Sequence, residues 1–306
     1  MKVSEHYTNP IEPASYSGVS SLIKAHPKKD KKFAIKEIET LKSYVLHKPI
    51  RKKFKRREVF VPFMNHQWVG DLIDVQKLAK LNSGVRYILL VIDAFSKKLY
   101  YALLRDKSAQ SALNGFKRII RESGVVPKYV QTDKGKEFEN SQVQSYFKQI
   151  DVKWFHTHTK IKASLVERAI RTIMTKLARF FTHTGSKKYI EVFPKLVASS
   201  NDTYHTSIKM SQNQVTEQNQ GTVLLNLYNQ KKKVSVAPPK FKAGDSVIIS
   251  KEKALFTKCY AQNWTTSEFK VRKVKKTVPV TYLLETSEGD PIEGGFYEIE
   301  LSSPPK

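Results

Sequence analysis

Three carboxylates in this 306-residue chain are placed as chemistry would require rather than as a solvated surface would. Residues 160–177 read KIKASLVERAIRTIMTKL, and Glu167 is the sole acid between Asp151 and Glu191. Lys160, Lys162, Arg168, Arg171, Lys176 and Arg179 crowd around it. In WVGDLIDV, period-2 alternation puts Val69, Asp71, Ile73 and Val75 on one strand face and Trp68, Gly70, Leu72 and Asp74 on the other. Asp71 thus interrupts a β-branched face, where an unpaired charge is costly and an acid usually has a cation or metal partner. Asp133 closes the run KYVQTD ahead of Lys134 and Gly135, at the tip of a predicted strand with a sharp exit.

Three carboxylates from different elements, if they converge, can hold two divalent ions about 3.5–4 Å apart, which stabilise the attacking and leaving oxygens of a phosphoryl displacement. Oxygen-only ligands point to Mg2+ or Mn2+ rather than zinc. Plainer readings stand beside this one. Asp133 is also an ordinary turn residue, and Glu167 with Arg171 is also an i,i+4 pair worth about 0.2–0.5 kcal/mol. Such a pair leaves unexplained why the segment has no other acid. Asp74 carries no burial tension and is assigned to structure, and Glu137 and Glu139 are taken as solvated.

The elements that must position these acids follow from periodicity. WVGDLIDV, RYILLVIDAF and KLYYALL read as an antiparallel meander, then SAQSALNGFKRIIRESG as an amphipathic helix capped by Ser108 and ended by Gly124. A short strand (KYVQTD), a helix over about 141–149, a strand (VKWFH) and the long helix bearing Glu167 come next, with Val166, Ile170, Ile173 and Leu177 as its apolar stripe. A second long helix is expected over about 187–203. The order β-β-β-α-β-α-β-α predicts a mixed α/β domain. Residues 1–60 read as a small, basic, helical region containing AIKEIETLKSYVLH and the dense run PIRKKFKRREV. QKKKVSVAPPK reads as a linker, and FKAGDSVIIS, SEFKVRKVKK, VTYLLET and GGFYEIEL as strands of a small β-barrel. The expected boundaries are 1–60, 61–215, a helix and linker over 216–240, and 241–306.

Composition narrows the partner. Lys and Arg number 54 against 28 Asp and Glu, a net charge of +26, which favours a polyanion such as nucleic acid. There is no run of about 18 apolar residues, so no membrane span is expected, and MKVSEHYTNPIEPASYSG lacks the apolar stretch of a secretory leader. Cys259 is the single cysteine, which excludes intrachain disulfides and cysteine-rich zinc fingers and suits a reducing compartment.

QWVGDLIDVQKL, RYILLVIDAFSK, QTDKGKEF, KASLVERAIRT and, near the end, NWTTSEFKV with GGFYEIEL together resemble the retroviral-type D,D,E integrase and transposase superfamily. The resemblance is nearest to integrases of Polinton/Maverick-like elements and runs, in order, over residues 67–301. It implies an α/β RNase H-like catalytic core with Asp71, Asp133 and Glu167 as catalytic and metal-binding residues. It also implies two Mg2+ (or Mn2+) ions per active site, 3′-end processing, and strand transfer of element DNA into target DNA. The implied partners are double-stranded DNA and further copies of the chain, as dimer or tetramer, and the implied location is the nucleus. The helix bearing Glu167 would lie along DNA through Lys162, Arg168, Arg171 and Lys176. The basic run Arg51, Lys52, Lys53, Lys55, Arg56 and Arg57 is a second expected DNA contact. The C-terminal strands resemble the SH3-like or chromodomain-like domains of such integrases.

Departures are specific. Residues 134–166 separate Asp133 from Glu167, slightly fewer than in retroviral relatives, and SIKMSQNQV lacks a proline that relatives often carry there. With Cys259 remote, the N-terminal region cannot bind zinc as retroviral ones do. His156 and His158 are assigned to structure or DNA contact. Phe256, Tyr260 and Trp264 are assigned to barrel core and DNA contact over a methyl-lysine cage. Asp93, ahead of Ser96, is assigned to its turn. Two alternatives to the integrase reading are a catalytically inactive, domesticated DNA- or chromatin-binding protein, and an RNase H-fold nuclease that cuts without joining.

Overall fold

The computed structural model describes residues 2–25, 31–51, 53–54, 56–57, 59–156, 164–228, 238–251 and 260–305. It divides into two compact units, Val59–Lys232 and a unit combining Met1–Glu58 with Lys233–Lys306. Helices α1 (Val3–Thr8), α2 (Val19–Ala25), α3 (Lys31–Ile38) and α4 (Lys42–Val45) open the chain. Val3, Tyr7, Leu22, Ala34 and Ile38 form a small core among the first three. Glu37 of α3 ties down α1, accepting from the Val3 amide at 3.1 Å and the Ser4 hydroxyl at 2.7 Å. AIKEIETLKSYVLH is therefore two helices. The Thr40 hydroxyl returns to the Glu37 carbonyl at 2.7 Å and Leu41 turns extended, which ends one helix before the next begins at Lys42.

The larger unit runs β1 (Gln67–Asp74), β2 (Tyr87–Asp93), β3 (Leu99–Leu104), α5 (Ala109–Ser123), β4 (Tyr129–Thr132), α6 (Ser141–Gln149), β5 (Lys153–His156), α7 (Ser164–Thr184) and α8 (Phe193–Asp202). A two-residue hairpin, β6 (Tyr204–His205) with β7 (Met210–Ser211), and α9 (Gln220–Tyr228) complete it. The sheet order is β3-β2-β1-β4-β5. β1, β2 and β3 pair antiparallel, while β4 and β5 continue parallel from β1. The predicted element order is thus observed, as is the capping of α5 by Ser108, which accepts from the Ser111 amide at 3.1 Å. Gly124 ends that helix with φ of 67°, a left-handed conformation glycine adopts freely.

Both sheet faces are covered, which explains why RYILLVIDAF is an unbroken apolar run rather than an alternating one. Ile88, Leu90 and Ile92 join Val69, Ile73 and the buried stripe Val166, Ile173 and Leu177 of α7. Leu89 and Val91 join Trp68, Val130 and the α5 and α6 residues Phe116 and Phe147. α8 starts at Phe193 rather than near residue 187; Tyr189 and Phe193 bury themselves first, and Pro194 sits in the first turn, where its missing N–H costs nothing.

Gly115 marks a close helix–sheet approach. A Cβ there would sit 3.0 Å from Leu89 Cδ2 and 3.1 Å from Leu104 Cδ2. An exposed helical Gly→Ala ordinarily gains about 1 kcal/mol. At Gly115 we expect no gain from alanine and a loss of about 1–3 kcal/mol from Gly115→Val, as overpacking costs, both read by denaturant unfolding.

The C-terminal strands β8 (Ser246–Ile249), β9 (Phe269–Lys275), β10 (Thr281–Glu285), β11 (Phe296–Tyr297) and β12 (Leu301–Ser302) form an antiparallel sheet in the order β11-β10-β9-β8-β12. Phe241, Val247, Val271, Tyr282, Leu284 and Leu301 form its core. Trp264 is 3% exposed and packs with Val45, Leu46 and Ile248, its Nε1 donating to the Lys48 carbonyl at 3.0 Å. It is core, as expected. Tyr260 is exposed, and Phe256 lies outside the described residues. Among the described residues no helix is long and apolar enough to cross a membrane.

Candidate active site

The parallel pairing of β1 with β4 sets Gln67, Trp68 and Val69 against Tyr129, Val130 and Gln131. Carried two residues further, the same register places Asp71 opposite Asp133, the first residue after β4. The side chains confirm which face each occupies. Trp68 and Val130 share the core under α5 and α6. Gln67 Nε2 donates to Gln131 Oε1 at 2.7 Å within the structure, next to Val69 on the α7 face. By period-2 alternation Asp71 and Asp133 share that α7 face. Both are half-buried, and Asp71 Oδ1 accepts from the Leu72 amide at 2.8 Å.

Glu167 lies in the first turn of α7, next to Val166, which is buried in the core that also holds Val69 and Ile73. A carboxylate in a first turn is favoured by the helix dipole. Glu167 is exposed and, among the described residues, forms no ion pair with Arg171. The plainer i,i+4 reading therefore has no contact behind it. The three acids thus share one sheet face and its covering helix. They are not gathered into a closed cluster: among the described residues, no group of three His, Cys, Asp or Glu side chains could hold a metal ion. The donors suit a hard divalent ion in kind and in face, and the triad is open.

Neighbouring acids have other duties. Asp74 is exposed and accepts from the Gln76 amide at 2.9 Å and its side-chain amide at 3.0 Å, bonds that hold its carboxyl below the usual range. Asp93 is fully buried. It accepts from the amides of Asn65 at 3.1 Å and Ser96 at 2.9 Å and from the Ser96 hydroxyl at 2.5 Å. Burial pushes its carboxyl up against the pull of those bonds. It organises its turn, as expected.

Glu137 corrects the sequence reading. Rather than solvated, it is 6% exposed and paired with Lys107 Nζ at 3.0 Å. Its buried neighbour Phe138, edge-on to Phe116, pulls this loop against the core. Neither Glu137 nor Lys107 carries a sequence signal, since the pair is 30 residues apart and made only by the fold. Glu139 is exposed.

Of the expected DNA contacts, Arg168 and Arg171 are exposed on α7, whereas Lys176 is held by the Ser200 hydroxyl of α8 at 2.7 Å. Arg51, Lys53 and Arg57 are exposed. Arg56 lies 4.4 Å over the Phe54 ring, and Phe54 packs edge-on against Tyr297 at 5.4 Å. Lys52, Lys55, Lys162, His158 and the segment 229–237 of the expected linker lie outside the described residues. His156 ends β5, its ring 5.6 Å from that of Trp154.

Residues 63–160 match the integrase core domain family. An uncharacterized transposon-derived protein of Caenorhabditis elegans is 30% identical over 195 residues, which is 64% of this chain and 65% of that protein. The match therefore spans slightly less than two thirds of that relative. A chain of the simian T-cell lymphotropic virus intasome, solved in complex with the PP2A regulatory subunit B56 gamma, superimposes with a TM-score of 0.68 at 14% identity. That match covers 94% of this chain and 95% of that one. The HTLV-2 integrase catalytic core domain, solved in complex with magnesium, matches 50% of this chain and 97% of its own at 19% identity, with a TM-score of 0.41. The fold is mixed α/β with an integrase-type, RNase H-like core.

Proposed function

We propose that the chain is a DNA integrase of a mobile element, of the Polinton/Maverick-like type, which trims the 3′ ends of element DNA and joins them to target DNA. One observation carries the reading: the parallel β1–β4 register, extended two residues past its last pair, brings Asp71 level with Asp133 in the loop after β4, on the face covered by the helix whose first turn bears Glu167. The integrase-type core and the transposon-derived relative support it.

Asp71, Asp133 and Glu167 would hold Mg2+ or Mn2+, two ions per site, as an all-oxygen ligand set. Such ions supply charge neutralisation at the phosphate and polarisation of the attacking oxygen. The chain's own part is positional. The β1–β4 seam leads into two carboxylates, Asp71 two residues past its last pair and Asp133 in the loop just after β4, and α7, anchored by Val166, Ile173 and Leu177, sets the height of the third. Arg168 and Arg171, exposed on the same helix, would grip phosphates beside the acids. In trimming, water attacks phosphorus and the strand's 3′ oxygen leaves with the proton. In joining, the freed 3′ hydroxyl attacks a target phosphate and a target 3′ oxygen leaves. Joining two ends takes two active sites, so the working form is at least a dimer, acting in the nucleus.

The test is a joining assay with labelled linear DNA, a supercoiled target and Mg2+ or Mn2+. Joined product supports the reading. Hydrolysis with no joined product would replace it with a nuclease, and binding without either reaction with a DNA-binding protein. DNA binding should also be salt-dependent, because each phosphate contact releases counterions and contributes a slope of about −0.9 in log K against log salt. Arg168→Ala with Arg171→Ala should weaken binding across all sequences and flatten that slope by about 2, measured by fluorescence anisotropy at several salt concentrations.

A further inference from the structure

We infer that Lys107 and Glu137 form a positioning clamp for Asp133, an inference that rests on the metal-site reading above. Lys107 follows β3 and directly precedes Ser108, the cap of α5, whereas Glu137 lies in the loop that Asp133 begins. Their 3.0 Å ion pair therefore ties that loop to a connection at the far side of the sheet.

Several features make this more than a surface contact. Glu137 is buried while Lys107 keeps about half its side chain in solvent, so the lysine compensates a carboxylate that water does not reach. The Glu137 carboxylate folds back over Gly135, where a Cβ would meet its oxygens at 2.4 and 2.7 Å. A side chain at position 135 would displace that carboxylate. The turn is closed by the Phe138 and Glu139 amides, both donating to the Gly135 carbonyl at 2.9 Å. Asn140 Nδ2 adds a bond to the Glu137 carbonyl at 3.0 Å. Phe138 is fully buried beneath it. The segment from Asp133 to Asn140 is thus held at its far end by packing and at its centre by the ion pair. Lys107 also lies within electrostatic reach of Asp133 and Asp74, so its charge sits at the same end of the strands as the proposed ligands. The pair acts on Asp133 through this backbone segment, and loss of groups that orient a metal ligand typically weakens metal affinity by about 10–100-fold.

Titration of the full chain with Mn2+, free ion read by its EPR signal, tests the clamp without needing turnover. Wild type and Asp133→Asn define the site: if wild type binds no Mn2+, or Asp133→Asn binds as wild type does, the metal reading fails and the clamp falls with it. Given a site that depends on Asp133, Glu137→Gln and Lys107→Gln should each weaken Mn2+ by about 10–100-fold. Lys107→Arg, which preserves the pair, should stay near wild type. Thermal unfolding of each apo protein is measured alongside. Wild-type Mn2+ affinity in Lys107→Gln or Glu137→Gln overturns the clamp while leaving the metal reading intact. Should both variants lose the folded state, the pair is structural and the inference is equally overturned.

Discussion

Glu167→Gln should lower DNA joining by more than about 100-fold while DNA binding and thermal stability stay at wild-type levels. The size follows from the position. Removing a group one shell outside a metal costs about 10–100-fold, and Glu167 is proposed as a direct ligand, so its loss should exceed that range. The selectivity follows from the exposure of Glu167. It makes no ion pair with Arg171 among the described residues, and the helix is anchored by Val166, Ile173 and Leu177 instead. Glutamine keeps the shape and helix propensity and loses only the charge. Asp71→Asn and Asp133→Asn should give the same loss of joining. Joining that survives Glu167→Gln within tenfold would remove Glu167 from the site and leave the two strand acids as the remaining candidates.

Asp93→Ala should destabilise the larger unit by about 3–5 kcal/mol, because it strips the acceptor from a set of buried donors. The Asn65, Phe95 and Ser96 amides and the Ser96 hydroxyl all address this one carboxylate. An orphaned buried donor costs about 1–3 kcal/mol, and the Asn65 contact spans 28 residues of sequence, so its loss also frees the segment leading into β1. Asn65 Oδ1 in turn accepts from Trp68 Nε1 at 3.1 Å, and Trp68 is fully buried on β1, the strand that also carries Asp71. Chemical denaturation of Asp93→Ala against wild type measures the effect. A loss under 1 kcal/mol would mean that the turn is held by the β2–β3 pairing alone. The contrast with Glu167→Gln separates the two kinds of acid: one should cost activity at constant stability, the other stability itself.

Much of the core was legible in the residues because its signals are local or periodic. Period-2 alternation in WVGDLIDV assigned Asp71 to the face that α7 covers, and the 3.6-residue stripe Val166, Ile173 and Leu177 assigned the helix face that covers it. Ser108 and Gly124 bounded α5 through chemistry confined to a few residues. Where the reading failed, competing local bonds or distant partners had decided. The helical spacing of AIKEIETLKSYVLH does not show the break at Thr40 and Leu41, and α8 began later than its spacing suggested, once Tyr189 and Phe193 were drawn into the core.

What the chain by itself determined, then, is the set of acids that interrupt or stand off an apolar pattern, since burial cost and periodicity act along the sequence. Tertiary structure alone decided that β1 pairs with β4, which carries Asp71 and Asp133 toward one end of the sheet, because strand register joins residues that no local rule connects. It also decided that Glu137, polar and loop-borne, is buried against Lys107. A charge enters the interior only where a partner waits, and that partner is supplied by the fold.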